Sequence, residues 1–109
     1  MIEKRIDKLK EILTDKNANQ VEAFNMVDTD YFVDAVVVAS SLGGRHSSAL
    51  LKEIKEKSNE EFVRVDESDD WIVADLGDIL VHIMNEEARE LYRIEDFLST
   101  YNEKFGTVT

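Results

Sequence analysis

The sequence predicts a mixed α/β fold, in which a four- to five-stranded mixed β-sheet is flanked by helices. Short apolar runs typical of strands alternate with segments whose apolar residues recur at helical spacing. The 109 residues, of which 43% are apolar and 34% charged, fit one globular unit. No proline or low-complexity linker interrupts the chain, so we expect a single domain over residues 1–109.

The first helix is predicted from apolar residues at helical spacing with charged residues between them. These residues are Ile2, Ile6, Leu9, Ile12 and Leu13. The pattern breaks at residues 15–20, after which residues 21–26 read as a short strand. Residues 35–39, A-V-V-V-A, predict a buried strand because they form a continuous apolar run.

A strand, loop, helix unit is predicted next. Residues 40–44 are the only loop of small residues, and the apolar pattern of residues 47–57 indicates a helix. The strand after it, residues 62–65, is expected to run parallel to residues 35–39, since a helical crossover between neighbouring strands requires that direction. A polar turn follows at residues 66–70.

Residues 71–74 and 79–84 predict a β-hairpin joined by residues 75–78. If Leu76 and Gly77 are the turn residues, Asp75 faces Asp78 and Trp71 faces His82 on one side of the sheet. The other side is apolar and is expected to be buried; it holds Ile72, Ala74, Ile79, Val81 and Ile83. The side with Trp71 and the acids is therefore the candidate functional side.

The C-terminal part predicts two helices. Asn85 is expected to cap the first, with Glu86 and Glu87 favourable beside its positive end. Its inward side is predicted to hold Ala88, Leu91 and Tyr92. Arg89 is expected to reach back to the turn acids through a charge-assisted bond, with Tyr92 on the same helix face. A short tail helix is predicted near residues 94–101, and residues 106–109 are expected to fray.

The net charge of −11 disfavours direct binding to nucleic acid, which normally needs Lys and Arg to neutralise phosphates. Residues 60–79 hold eight acids against Arg64 alone. This segment would suit a basic protein surface, although a solvated acidic face is equally compatible. The chain has no cysteine and no run near the roughly 18 to 20 apolar residues that span a bilayer, so we expect a soluble, cytoplasmic protein without membrane contact.

Two carboxylates and an imidazole, Asp75, Asp78 and His82, are the residue types of a metal- or nucleotide-dependent enzyme. Their spacing favours structure or recognition, because acids beside a tight turn usually satisfy backbone groups. We therefore expect no catalytic residue, metal or cofactor.

Gly43 and Gly44 precede a predicted helix, whose amino terminus would attract a phosphate. The indication is weak, because the spacing of a phosphate-binding loop is not present. Arg45 and His46 open the following helix, where a cation opposes the helix dipole. A carboxylate such as Asp34 or Asp75 would explain them, and solvent exposure is the alternative.

One motif combines several of these residues: W-x-x-x-D-x-G-D-x-x-V-H followed by R-x-x-Y-x-x-E. Its members are Trp71, Asp75, Gly77, Asp78, Val81, His82, Arg89, Tyr92 and Glu95. The spacing resembles that of the ribosomal silencing factors, also called Iojap-like proteins, from about residue 18 to residue 98. The family's strand with a leading Asp matches this chain better at Asp34 than at Asp30, because Asp34 restores the distance to Arg45.

The resemblance implies a nucleotidyltransferase-like fold without catalytic residues. No acid follows Gly44 until Glu53, so the paired metal-binding carboxylates of such a transferase are absent. The resemblance also implies binding to the large ribosomal subunit through its fourteenth ribosomal protein. That binding would block joining of the small subunit and lower translation when nutrients fall, and a role in late large-subunit assembly is implied as well.

The partner-binding residues predicted from this combination are Trp71, Asp75, Leu76, Gly77, Asp78, His82, Arg89 and Tyr92. Trp71 would be the apolar anchor, and Asp75, Leu76 and Asp78 would meet basic side chains. A homodimer off the ribosome and a plain dimerisation module remain open, since an exposed sheet edge would permit either.

Overall fold

A five-stranded mixed β-sheet forms the centre of the protein, which confirms the predicted fold class. The structure is a computed structural model that describes residues 2–101, and the expected fraying of residues 106–109 lies outside this range. The elements in chain order are α1 (Ile2–Asp15), β1 (Asn19–Asn25), β2 (Ala35–Ser41), α2 (Gly44–Lys57), β3 (Arg64–Glu67), β4 (Trp71–Asp75), β5 (Ile79–Asn85), α3 (Glu86–Tyr92) and α4 (Ile94–Tyr101).

The strands lie in the order β1-β2-β5-β4-β3. β2 and β5 are parallel, whereas the other three neighbouring pairs are antiparallel. The prediction that residues 62–65 form a strand parallel to β2 is therefore wrong. β3 begins at Arg64 and pairs with β4 at the edge of the sheet. Burial explains the difference: six of the seven β5 residues are buried and three of the four β3 residues are exposed, so β5 suits the central position.

Two long helices, α1 and α2, cover one face of the sheet, which we call the α1/α2 face. The buried positions of α1 are Ile6, Leu9, Ile12 and Leu13, as the helical spacing predicted. They pack with α2 and with every second residue of the central strands, including Val37, Val81 and Ile83. The side of the hairpin that was predicted to be apolar and buried lies here.

The two short helices α3 and α4 lie on the opposite face, the α3/α4 face. Its core contains Met26, Val33, Val36, Val38, Leu80, Met84, Ala88 and Leu98. Trp71 and Val73 of β4 pack at the margin of this core and are only partly buried. Because α3 has seven residues and α4 eight, the outer part of the sheet on this face has no covering helix among residues 2–101.

The loop between β2 and α2 is shorter than predicted. Ser40 and Ser41 complete β2, and α2 begins at Gly44, three residues earlier than expected. The first helical turn is closed by the Ser47 amide, which donates to the carbonyl of Gly43. Gly43 has φ 152, a value that residues with a Cβ rarely adopt. The small residues thus form the start of the helix as well as the loop.

The polar turn predicted at residues 66–70 is also shorter, because Asp66 and Glu67 belong to β3. Ser68 closes the turn by donating both its amide and its hydroxyl to the carbonyl of Trp71. No helix described between residues 2 and 101 has the length and apolar character needed to cross a membrane.

Candidate partner-binding site

The β4–β5 hairpin is present as predicted, but its register differs by two residues. Trp71 pairs with Met84, Val73 with His82 and Asp75 with Leu80, so the predicted pairs of Trp71 with His82 and Asp75 with Asp78 are wrong. The Leu76 amide donates to the Ile79 carbonyl, which places Gly77 and Asp78 at the tip of the turn. Gly77 has φ 96, which favours glycine there. A two-residue shift keeps the strand side chains on their predicted faces, but Asp78 of the turn points to Arg5 of α1 instead of lying on the Trp71 side.

Trp71, His82 and Tyr92 form an aromatic cluster, which we call the Trp71 cluster. The indole Nε1–H of Trp71 donates to Nδ1 of His82 over 3.0 Å. The Tyr92 ring lies 5.0 Å from the Trp71 ring, centroid to centroid. Tyr92 is 57% exposed, although an inward position was predicted. The cluster therefore presents part of its aromatic surface to solvent beside α3.

His82 is the buried member of this cluster, with only 6% of its surface exposed. Burial lowers the pKa of its imidazole from 6.5 to about 4, so the ring is neutral at physiological pH. Because Nδ1 accepts the indole hydrogen bond, the ring proton must sit on Nε2. Nε2 is buried and has no hydrogen-bond partner within residues 2–101.

Arg89 is the inward-facing polar residue of α3, where Leu91 was predicted. Arg89 is 3% exposed, whereas Leu91 is 74% exposed. The predicted bond from Arg89 to Asp75 or Asp78 is wrong, because the guanidinium points towards β1 and β2. It donates to the Gln20 carbonyl (2.6 Å), the Ser40 hydroxyl (2.9 Å), Glu22 (2.9 Å) and Glu95 (3.3 Å).

Arg89 therefore joins α3 to β1, β2 and α4. The sequence motif contains both Arg89 and Glu95, but their pairing was not predicted from the sequence. Gln20, Glu22 and Ser40 carried no signal, because their roles depend on strand pairing far away in the sequence. Asn85 caps α3 as predicted, since its side chain accepts from the Ala88 amide at 2.8 Å.

Both turn acids, Asp75 and Asp78, form hydrogen bonds with other groups of the chain. Asp75 accepts a hydrogen bond from the Gly77 amide at 2.8 Å, so it stabilises the turn, as acids beside tight turns usually do. Asp78 accepts two hydrogen bonds from Arg5 of α1, at 2.6 and 2.8 Å. The hydrogen bonds from Arg5 lower the pKa of Asp78 below its usual range. Arg5 also binds Glu60.

The residues predicted for the site thus fall into three groups. Trp71, His82 and Tyr92 are together, and Arg89 lies on the inner side of α3. Asp75, Leu76, Gly77 and Asp78 lie at the other end of the hairpin, where Leu76 is buried in the core of the α1/α2 face.

This distribution does not bring the proposed catalytic trio together. Asp78 points to Arg5 of α1, while His82 is buried beside Trp71 on the opposite face. Within residues 2–101, no group of three or more potential metal ligands converges.

Arg45 and His46 at the start of α2 do not contact the carboxylates considered for them. Arg45 is exposed. His46 accepts the Leu42 amide at Nδ1 (2.9 Å), and its Nε2 donates to the Lys16 carbonyl (2.8 Å). The histidine therefore fastens the loop before α2 to the end of α1.

Two shallow clefts flank Trp71 on the α3/α4 face. One is lined by Asp66, Glu67, Ser68, Trp71 and Val73. The other is lined by Asp70, Asn85, Glu87, Ala88, Leu91 and Tyr92. The exposed acids among these residues, Asp66, Glu67, Asp70 and Glu87, form what we call the acidic rim. The arrangement is an aromatic centre with negative charge around it, which suits recognition of a basic, partly apolar protein surface.

Comparisons with known proteins indicate one family. A family model described as "Ribosomal silencing factor during starvation" matches residues 1–105. A protein named ribosomal silencing factor from Haemophilus influenzae is 30% identical over 95 residues, covering 83% of this chain and 93% of the relative.

Two further proteins show the range of the similarity. The mouse protein named mitochondrial assembly of ribosomal large subunit protein 1 is 28% identical over 99 residues, which cover 83% of this chain and 43% of the mouse protein. A crystal structure of a Chromobacterium violaceum protein superposes with a TM-score of 0.81 at 24% identity, covering 91% of this chain and 87% of that one. The match to the Chromobacterium violaceum structure supports the fold alone.

Proposed function

The chain belongs to the ribosomal silencing factor family, and on this premise we propose that it binds the large ribosomal subunit through the fourteenth large-subunit ribosomal protein. Bound there, it blocks joining of the small subunit by steric exclusion and represses translation under nutrient limitation. It acts in the cytoplasm as a single domain and without enzymatic activity.

One observation carries the proposal: the part of the α3/α4 face around β4 presents Trp71 and Tyr92 at the surface, surrounded by the acidic rim. Tryptophan and tyrosine dominate the energetics of many protein interfaces because they bury a large apolar area at low entropic cost. The aromatic centre is therefore the part of the surface best suited to hold a partner.

Charge supports a protein partner over RNA as the direct contact. The chain carries 24 acids against 13 bases, so it repels a phosphate backbone and is attracted to a basic ribosomal protein. The acidic rim would steer the encounter, while the Trp71 cluster would set the residence time. The same negative field would oppose approach of the RNA of the small subunit.

The alternative function, a metal- or nucleotide-dependent enzyme using Asp75, Asp78 and His82, lacks geometric support. The Nδ1 atom of His82 is occupied by the Trp71 indole, and Asp78 is paired with Arg5. Calorimetry with divalent metals and nucleotides tests this alternative directly. A measurable heat of binding that Asp78→Asn abolishes would favour the enzyme.

The proposal is tested by the change Trp71→Ala. Loss of the aromatic anchor is expected to weaken binding to large subunits by about 2 kcal/mol or more, roughly 30-fold. Co-sedimentation of the pure protein with isolated large subunits measures the affinity, and circular dichroism checks that the variant is folded.

The matched control is Phe62→Ala. Phe62 is also a partly buried aromatic, but it packs on the core of the α1/α2 face. Its truncation is expected to leave binding to the large subunit unchanged. Equal loss of binding in both variants, or unaltered binding of Trp71→Ala, would contradict the site assignment.

The blocking step needs a separate measurement. Adding the protein to large subunits before small subunits should reduce the fraction that associates, as light scattering or gradient profiles report. A protein that binds large subunits but leaves association unchanged would refute the silencing mechanism.

A second role in late assembly of the large subunit is favoured by the name of the mouse relative. Accumulation of precursor large-subunit particles after depletion of the protein would support it. Off the ribosome, we propose that two copies can pair; sedimentation velocity measures whether the free protein is a monomer or a dimer.

A further inference from the structure

The neutral ring of His82 has one hydrogen-bond acceptor, Nδ1, and Trp71 occupies it. Nδ1 accepts a hydrogen bond from the indole Nε1–H of Trp71, with 3.0 Å between the two nitrogens, and the two ring centroids lie 5.8 Å apart. His82 comes from β5 and Trp71 from β4, where Val73 is the residue that pairs directly with His82. The bond therefore runs diagonally across the two strands and fixes the indole over β5.

Packing does not explain why a histidine occupies this position. The neighbouring side chains on the same strand and face, Leu80 and Met84, are apolar and belong to the core of the α3/α4 face. His82 leaves its second nitrogen buried without a partner in the described chain. A buried polar atom without a partner destabilises a fold, so an apolar residue of similar size would serve the core better.

We propose that His82 is a positioning residue for partner binding: it accepts the hydrogen bond of the Trp71 indole N–H and so holds the ring in the orientation that the partner contacts. This inference rests on the proposed function of the Trp71 cluster. Tyr92 supports the same ring from α3 at 5.0 Å. The anchor is thus assembled before the partner arrives, and less side-chain entropy is lost on binding.

The bond also defines what the partner must offer at this point. The single N–H of the indole is engaged within the protein, and a tryptophan ring has no other hydrogen-bonding group. Trp71 therefore presents only ring carbons outward. The matching surface on the partner is apolar, for example aliphatic side chains or the stems of lysine and arginine, with the charged ends reaching the acidic rim.

The wild-type protein provides the first test, because the chain has one tryptophan and two histidines. Nitrogen-15 spectra at neutral pH report the histidine tautomer and the single indole N–H resonance. We expect His82 with its proton on Nε2, and an indole proton that exchanges slowly with water. A proton on Nδ1 of His82 would overturn the inference, since that nitrogen could then accept nothing.

Two substitutions of His82 distinguish the effect of its hydrogen-bond acceptor from the effect of its side-chain volume. His82→Leu removes the acceptor, whereas His82→Asn places a carbonyl oxygen at the position of Nδ1. We expect the leucine variant to bind large subunits about fivefold to tenfold more weakly, which corresponds to one lost hydrogen bond. We expect the asparagine variant to bind more tightly than the leucine variant and to retain slow exchange of the indole proton.

Stability distinguishes positioning from an ordinary structural role. His82→Leu should unfold at an equal or higher urea concentration than the wild type, because it removes the unpartnered nitrogen from the core. A variant that is at least as stable but binds more weakly supports positioning. Unchanged binding of His82→Leu, or equal weakening in both variants, would overturn it.

Failure of this inference is distinguishable from failure of the proposed function. If wild-type protein does not bind large subunits, the proposed function fails while the indole and imidazole spectra still test the hydrogen bond. If wild type binds and Trp71→Ala does not, but the His82 variants match wild type, only the positioning role is lost.

Discussion

The two faces of the sheet are built in different ways. On the α1/α2 face, two helices of 14 residues each cover an apolar core, and the ion pair between Arg5 and Asp78 lies at its rim. On the α3/α4 face, two short helices cover only part of the sheet. Arg89 and His82 are buried there; Arg89 is hydrogen-bonded to β1 and β2, and His82 to Trp71 of β4.

The difference lies in what fixes the structure of each face. The α1/α2 face gains its stability from apolar burial, which does not depend on the direction of any single bond. The α3/α4 face includes buried polar groups whose bonds have defined directions, and such groups specify one arrangement at an energetic cost. This arrangement holds the Trp71 cluster at the edge of the uncovered area.

Among the variants that test this contrast, Arg89→Leu is expected to change the free energy of unfolding most. It leaves the Gln20 carbonyl, Ser40 and Glu95 without their shared donor, so we expect unfolding to require about 3–5 kcal/mol less free energy. Urea denaturation measures the loss. Arg93→Leu is the control, because Arg93 is exposed and pairs only with Asp96 within the described chain; its change should stay within about 0.5 kcal/mol. Similar losses in both variants would contradict the central role of Arg89.

A second, smaller effect is expected from acid. The folded protein keeps His82 neutral down to about pH 4, whereas the unfolded chain binds that proton below the ordinary pKa of 6.5. The unfolded state therefore gains protons first as the pH falls, and stability is lost between pH 6.5 and 4, by about 3 kcal/mol in total.

The measurement compares wild type with His82→Leu by urea denaturation at several pH values. Carboxylates titrate in both proteins, so the difference between them isolates His82. We expect the difference to grow in favour of the leucine variant as the pH falls through this window. Parallel curves would show that His82 is not held neutral by burial.

The smallest effect is expected on the α1/α2 face. Arg5→Gln removes a partly exposed ion pair to Asp78 and Glu60, and its cost should be about 1 kcal/mol or less. Because Arg5 lowers the pKa of Asp78, the contribution exists at neutral pH and disappears as acid protonates the carboxylate. A carbon-13 titration of Asp78 should show a higher pKa in the variant, and an unchanged pKa would contradict the pairing.

Local pattern was sufficient to predict the α1/α2 face. The spacing of Leu9 and Leu13 and the alternation in β4 specify which side is buried, and the valine run of β2 indicates a strand buried on both sides. Asn85 as a helix cap was predictable for the same reason, since its partner Ala88 lies three residues away.

The bonds of the α3/α4 face were not predictable in this way. Arg89 meets Gln20 and Ser40 only because β1 and β2 lie beside the end of β5, and no local pattern encodes that order. The hairpin register depended on which residues form the tip, where Gly77 and Asp78 replace the predicted Leu76 and Gly77. The strand predicted at residues 62–65 was placed beside the wrong strand, because a short apolar run does not indicate which strand it pairs with.

The parallel pairing of β2 with β5 has a consequence for how the chain folds. β1–β2 and β3–β4–β5 are each joined by short connections, whereas the pairing between these two units closes a loop containing α2, β3 and β4. Such closure is slow relative to hairpin formation. During synthesis β2 can therefore pair with β1, but its other edge lacks β5 until residues 79–85 have emerged. In this interval the growing chain is most exposed to self-association.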